Sequence, residues 1–470
     1  AALELIEHAS ACTPGRLALV LKLADTHCRF TLDNNEFSYV ATGNHYLTNV
    51  AGLFFVATML PELKHAAEWQ DIGLRELLRE IELQILPDGA DWESSTGYHK
   101  FVTEMLLVCL ILADKNGVDV AEGHRVRLRK MLEYLKAVIR PDGGMPLIGD
   151  CDGSQFLPIV HRDADDVRYM LDLAAVVCKE DEFKTGDECS PEVLWLYGKE
   201  GIDTFDAMAV KGQVSNAFQN AGSYVLRHED LYLLLNANDV GLKGRGSHSH
   251  NDALSIEVSV FGRAFVVDPG SYVYNLDREA RHRFRSTAYH STLMIDDQEQ
   301  NAIDVDAPFV SSNDARPRLL EWRTGDTTDT VSAEHYGYAP LVHRRTVELV
   351  KAGRFWNVTD DVAGDGRHEF CFSFHLAPGL EVERLDATTA LITDPEKGSL
   401  VISCDIPARS EVREAGFSSH YGKLEPSQII RWVVTAEPPL SVRWLLVPMA
   451  LGERLDTRLA HVRKLTHNKP

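Results

Sequence analysis

Near residue 206 the spacing of apolar residues changes from three-to-four to two, and a chain with that change cannot fold as one uniform architecture. Ahead of the change, "YLTNVAGLFFVATML", "LRELLREIELQIL", "FVTEMLLVCLILADK", "VRLRKMLEYLKAVI" and "VRYMLDLAAVVCKE" put apolar residues on one face of successive helices. After it, "YLLLNA", "LSIEVSVFGRAFVVD", "TVELVKAGRFWNVTDDV", "FCFSFHLA", "SLVISC" and "LSVRWLLVPMA" read as strands, with "FGR", "AGR" and "EKG" as hairpin turns. That is too many strands for one flat sheet, so packed antiparallel sheets are expected. The reading is an all-α domain over 1–205 followed by an all-β domain over 206–470, and 470 residues exceed a single ordinary core.

A weak repeat organises the helical half. "ILPDGADW" begins at Ile85 and "IRPDGGMP" at Ile139, a spacing of 54 residues. Such a period suits an antiparallel helix pair with its loops, the unit of helical solenoids and toroids, and it gathers the loops on one rim.

Bulk properties narrow the partners. A net charge of −22 repels nucleic acid and anionic membranes, so an anionic substrate needs a locally basic cleft. No run of about eighteen apolar residues appears, and no membrane span is expected. The eight cysteines are dispersed without a CxxC pair and read as buried free thiols. The opening "AALELIEHAS" has no initiator methionine and no signal-peptide pattern, and it reads as following a processed or trimmed start.

Four polar stretches stand out. In "TGNHYLTN", Asn44 and His45 open an apolar helix, where a cap and a half-buried helix residue are the simple alternative. In "DWESSTGYHK", Tyr98 and His99 enter the next apolar helix behind capping residues, and Tyr98 lies 53 residues after His45, almost one repeat. In "GLKGRGSHSHND", glycines allow close approach of a ligand, and His248 and His250 stand one residue apart before a strand. Asp268 in "FVVDPGS" and His290 in "STAYHSTLMID" follow at strand ends, and one carboxylate with two histidines is a donor set that Zn²⁺ accepts. Last, "REARHRFRS" crowds Arg281, Arg283 and Arg285 together, either as forks for carboxylates and sulfates or as a solvated loop paired with nearby acids.

Taken together, "GRGSHSHNDALSIEVSVFGRAFVVDPGSYVY" and "RHRFRSTAYHSTLMIDDQEQ" resemble the signature of the heparinase II/III-like polysaccharide lyases. "GNHYLTNVAGLFF" and "DGADWESSTGYHKFVTEMLL" resemble the helical half of the same family, so the similarity spans about residues 40 to 300 in matching order. The resemblance implies an incomplete (α/α) toroid joined to an antiparallel β-sandwich, with β-elimination on uronic-acid polysaccharides in the cleft between them. The family's toroid usually begins well before the Asn-His motif, whereas 43 residues precede Asn44 here, so early helices are expected to be missing from this chain.

Elimination at a 4-linked uronide removes a weakly acidic C5 proton beside a carboxylate, so that carboxylate must be neutralised as charge develops. By resemblance, Asn44 with His45 or His248 does this, and Tyr98 is the acid and can double as base. His45 or His248 is the base for the opposite C5 configuration. Arg281, Arg283 and Arg285, with Arg245 and His99, are the candidate substrate-binding residues. A structural Zn²⁺ on His250, Asp268 and His290 would pin the loop bearing His248, with Asn251 and Asp252 fixing that loop. The resemblance also implies a bacterial periplasmic or secreted setting and an anionic polysaccharide partner, with glycosaminoglycans ahead of alginate or bacterial exopolysaccharides. Two other classes stay open on the residues alone: a toroid glycoside hydrolase using Glu93, Asp150 and Asp152 as paired carboxylates, and a non-catalytic carbohydrate-binding protein.

Overall fold

Helix α4 (Thr96–Lys115) is the core around which the first half is built: from Thr96 to Ala113 every residue but Phe101 is buried. By length and composition α4 could cross a membrane, but here it lies inside the protein, with α2 (Asn44–Met59), α5 (Glu122–Val138) and α6 (Arg168–Cys178) packed on it. The computed structural model describes residues 13–467. Helices α1 (Pro14–Asp33), α3 (Ala66–Gln84) and α7 (Pro191–Asp206) complete the helical half. Local signals set their ends. Thr13 caps α1 ahead of Pro14, and Ser95 caps α4 by accepting from the Tyr98 backbone N–H at 3.1 Å.

The second half is two antiparallel layers. Strands β1 (Asn216–Phe218), β2 (Ser223–His228), β3 (Leu231–Asn236), β4 (Ser255–Val260) and β5 (Arg263–Val266) pair in sequence order. Strand β6 (Leu293–Ile295) joins a second sheet with β11 (His368–His375), β16 (Glu425–Ala436) and β15 (Arg409–Phe417), and a Val266–Leu376 bridge links the two sheets edge to edge. The facing sheet has eight strands. Its order is β12 (Glu381–Arg384), β13 (Thr389–Asp394), β14 (Gly398–Cys404), β17 (Leu440–Met449), β10 (Phe355–Ala363), β9 (Val342–Val350), β8 (Thr328–His335) and β7 (Arg318–Arg323). Trp432 from one layer and Trp444 from the other meet in the core at 5.3 Å between ring centroids. The architecture is the toroid followed by a β-sandwich that the periodicity and the resemblance imply. Five of the seven described cysteines are buried, and all seven are free thiols; Cys12 lies outside the described residues.

The two halves are tied through the C-terminus of α5, whose last carbonyls have no partner within the helix. Arg227 on β2 donates to the Ala137 carbonyl at 2.8 Å and to that of Ile139, while the Tyr232 hydroxyl on β3 donates to the Val138 carbonyl at 2.9 Å. Strand side chains thus finish a helix of the other half. Replacing Arg227 with Met strands two buried carbonyls and is expected to cost about 3 kcal/mol. An unfolding midpoint that does not move would contradict this tie.

Candidate active site

Loops from both halves converge on one histidine. Glu93 precedes α4, Asp150 follows a left-handed glycine (Gly149, φ 71°), and His248 lies in the glycine-rich loop before β4. A Cβ at Gly149 would stand 2.6 Å from the His248 carbonyl oxygen, so only glycine lets these loops meet. The His248 carbonyl accepts from the Asp150 backbone N–H at 3.0 Å.

The imidazole of His248 is clamped between two carboxylates. Its Nδ1 is 2.9 Å from Asp150 Oδ2 and its Nε2 is 3.2 Å from Glu93 Oε2. With an acceptor at each nitrogen, both nitrogens must donate, and the ring is an imidazolium. Burial opposes that charge, but the Asp150 and Glu93 hydrogen bonds outweigh it and raise the pKa to about 9. Burial would likewise raise Glu93, yet bonds from His248 and Asn44 hold it below the usual carboxylate range. Asn44, the first residue of α2, gives Glu93 its backbone N–H at 2.7 Å and its side-chain amide at 3.0 Å.

Tyr98 lies flat on this cation. The Tyr98 and His248 rings stack with centroids 3.5 Å apart and planes 10° apart. The Tyr98 hydroxyl is 3.4 Å from Asp152 Oδ2 and 3.3 Å from the Tyr274 hydroxyl. Burial and the charge of Asp152 push Tyr98 well above the ordinary phenol range, so it rests protonated.

Behind His248 lies a second cluster, in which His250, Asp268 and His290 bring ligand atoms within 4.8 Å of one another, all buried. His250 uses Nε2 on Asp150 Oδ1 at 2.9 Å, and His290 uses Nδ1 on Asp268 Oδ2 at 3.1 Å. The remaining nitrogens, Nδ1 of His250 and Nε2 of His290, are buried without a hydrogen-bond partner among the described residues. Buried polar atoms are rarely left so, and these orphans fit a metal ion.

Several expected residues stand elsewhere. His45 is not brought to the cluster: its ring is exposed and pairs with Glu36 at 2.9 Å. Helices α2 and α4 start at Asn44 and Thr96, so Tyr98 corresponds to Tyr46, and His45 is one helical position off, turned away by about 100°. His99 is buried in the helical core, where its Nδ1 accepts from the Asp91 backbone N–H at 3.2 Å. Arg281 does not face solvent but forks onto Asp150, with Nη2 2.8 Å from Oδ2 and Nη1 on Oδ1. Arg285 is buried too, and donates to the Val310 and Asp304 carbonyls at 3.1 and 3.0 Å. Arg283 is exposed and pairs with Glu279 at 3.0 Å, and Arg245 is exposed in the histidine loop. Asn251 anchors that loop to Glu299 and to the Asn301 carbonyl. Sequence reasoning weighed Glu93, Asp150 and Asp152 only as hydrolase carboxylates and missed Tyr274. Glycine before Asp150 and the tyrosines behind Asp-Pro-Gly were the available signals.

Comparison with known proteins gives the family and the fold. The profile "Heparinase II/III N-terminus" matches residues 1–162, and "Heparinase II/III-like, C-terminal" matches 211–445. The chain belongs to the heparinase II/III-like family. Family relatives include a heparin-sulfate lyase of Bacteroides thetaiotaomicron, 26% identical over 366 residues (74% of this chain, 48% of the relative). Another is a heparin-sulfate lyase of Pedobacter heparinus, 24% identical over 340 residues (70% of this chain, 45% of the relative). The chain therefore spans about half the length of these curated relatives. In fold it is similar to a crystal structure of heparinase III, with a TM-score of 0.77 at 21% identity over 97% of this chain and 68% of that one. A chondroitin AC lyase of Streptomyces coelicolor shares the fold more distantly, with a TM-score of 0.54 at 13% identity over 97% of this chain and 66% of that one.

The buried position of His99 has a measurable consequence. Burial lowers its pKa from 6.5 to about 4. As pH falls, the unfolded chain takes up this proton first, so stability is lost from about pH 6.5 downward, by up to about 3 kcal/mol near pH 4. His99→Gln is expected to flatten the fall of the unfolding midpoint between neutral pH and about pH 5. Parallel slopes in the two proteins would assign the acid sensitivity to other groups.

Proposed function

We propose that the protein cleaves 4-linked uronic-acid polysaccharides by β-elimination where Tyr98, His248 and Asn44 meet. The carrying observation is the Tyr98–His248 stack, which lays a phenol able to move a proton against a fixed positive charge. Elimination needs both: a group that takes the C5 hydrogen and returns one to the leaving oxygen, and a charge that steadies the anion formed between these steps. His248 spends both nitrogens on carboxylates, so it supplies charge rather than acting as a base.

The proton path runs through Tyr98. Its phenolic hydrogen passes to Asp152, 3.4 Å away, as the oxygen takes the C5 hydrogen. The negative charge left on C5 spreads into the uronate, beside the imidazolium and the Asn44 amide. Tyr98 then gives its hydrogen to the glycosidic oxygen as the C4–O bond breaks, and Asp152 returns the first proton. Electrons from the C–H bond end in the new C4–C5 double bond, and no water is consumed.

A hydrolase is the weaker reading, because Glu93 and Asp150 are fully buried and already bound to His248, and so cannot flank a bond in solvent. The relatives' name, heparin-sulfate lyase, favours heparan-type chains, and a polymeric substrate of that kind fits a periplasmic or secreted setting. Arg245 and Arg283 are the exposed arginines offered to neighbouring anionic sugars. Zn²⁺ is the proposed ion for His250, Asp268 and His290, since two imidazoles and a carboxylate suit it, and when bound it supplies rigidity to the histidine loop.

A panel of heparan, hyaluronan, chondroitin and alginate chains, read by the ultraviolet absorbance of the unsaturated product, tests the proposal. Tyr98→Phe is expected to lower kcat by about 10²–10⁴-fold with the fold intact. Full activity in that variant, or saturated fragments whose masses together exceed the substrate by one water per bond cut, would overturn it.

A further inference from the structure

We propose that Asp150 is a positioning residue that couples the metal centre to His248, so that filling the centre fixes the orientation of the His248 ring beneath Tyr98. The inference rests on the role given to His248 and Tyr98 above, but its test needs no substrate. One fully buried carboxylate serves both histidines of the loop: Oδ2 holds His248 Nδ1 and Oδ1 holds His250 Nε2, each at 2.9 Å. His250 thereby keeps its other nitrogen, Nδ1, for the metal. Carboxylates behind metal-bound histidines orient the ring and tune its basicity. Here the same carboxylate also touches a catalytic group.

Arg281 makes this carboxylate a stiff link. Its fork engages both oxygens, which fixes the plane of the group. The guanidinium is itself immobilised, with Nε donating to the Pro308 carbonyl at 3.1 Å and Tyr274 and Phe309 each 5.2 Å from its carbon. Asp150 comes from the helical half, whereas His248 and His250 come from a loop, and Arg281 from a short helix (Arg278–Phe284), of the β half. A shift of His250 on metal binding therefore has one short polar route to His248, through a carboxylate that cannot swing away.

Coupling of this kind is reciprocal, so a change at His248 must alter metal affinity. The test is a double-mutant cycle on the intact chain: wild type, His248→Gln, Asp150→Asn and the pair, each titrated with Zn²⁺ against a chromophoric chelator. Asp150→Asn is expected to weaken Zn²⁺ binding by about 10- to 100-fold. His248→Gln is expected to change it by about 5-fold or more in the wild type and by less than about 2-fold when Asp150 is absent. On a cleaved uronan, Asp150→Asn is expected to lose kcat while KM holds. Should Asp150→Asn fail to fold, Arg281→Lys keeps the charge but removes the fork, and is expected to shrink the His248→Gln effect in the same titration. An equal His248→Gln effect in both backgrounds, or unchanged metal affinity in Asp150→Asn, would overturn the coupling. Absence of uronan cleavage alongside an intact cycle would instead count against the proposed activity alone.

Discussion

A carboxylate with no exposed surface, Asp150, is the constraint on which the rest of the site depends. Burying an unpaired carboxylate would cost several kcal/mol, so its partners must be in place whenever the chain is folded. Arg281 and two histidines meet that demand and hold it well below the usual carboxylate range despite its burial. Because these partners belong to the β half and Asp150 to the helical half, folding of the two is tied to assembly of the site. The capping of α5 by Arg227 and Tyr232 is the same device repeated elsewhere along the junction.

The histidine loop divides its labour by geometry. His248 and His250 have one residue between them, and both reach Asp150 from different sides, one toward Tyr98 and one toward Asp268 and His290. Left-handed backbone at Ser247 (φ 68°) and Gly246 (φ 109°) makes the turn that allows this. In a protein carrying a net charge of −22, His248 thus holds a positive charge at a buried point, where two carboxylates stabilise it and a phenol covers it.

Features carried by period or by short-range chemistry were legible in the sequence. The helix-to-strand change near residue 206 follows from apolar spacing, and His250, Asp268 and His290 do come together as their donor types suggest. What escaped depends on which way a side chain turns and on partners far away in sequence. His45 faces solvent because one residue along a helix is a rotation of about 100°. Arg281 and Arg285 looked like surface cations, yet their partners, Asp150 and the 304–310 loop, are reached only by tertiary folding. His99 follows Tyr98 directly and turns into the core, toward the Met131 carbonyl. Strand β15 carried no clear alternation, because as an edge strand it is only half covered.

The division between the two loop histidines is the central claim, and anomalous diffraction from crystals soaked in Zn²⁺ tests it most directly. The expected map has one peak among the side chains of His250, Asp268 and His290, with His248 still stacked on Tyr98 between Glu93 and Asp150. A peak on His248, or an ion drawn onto Asp150 with Arg281 displaced, would contradict it.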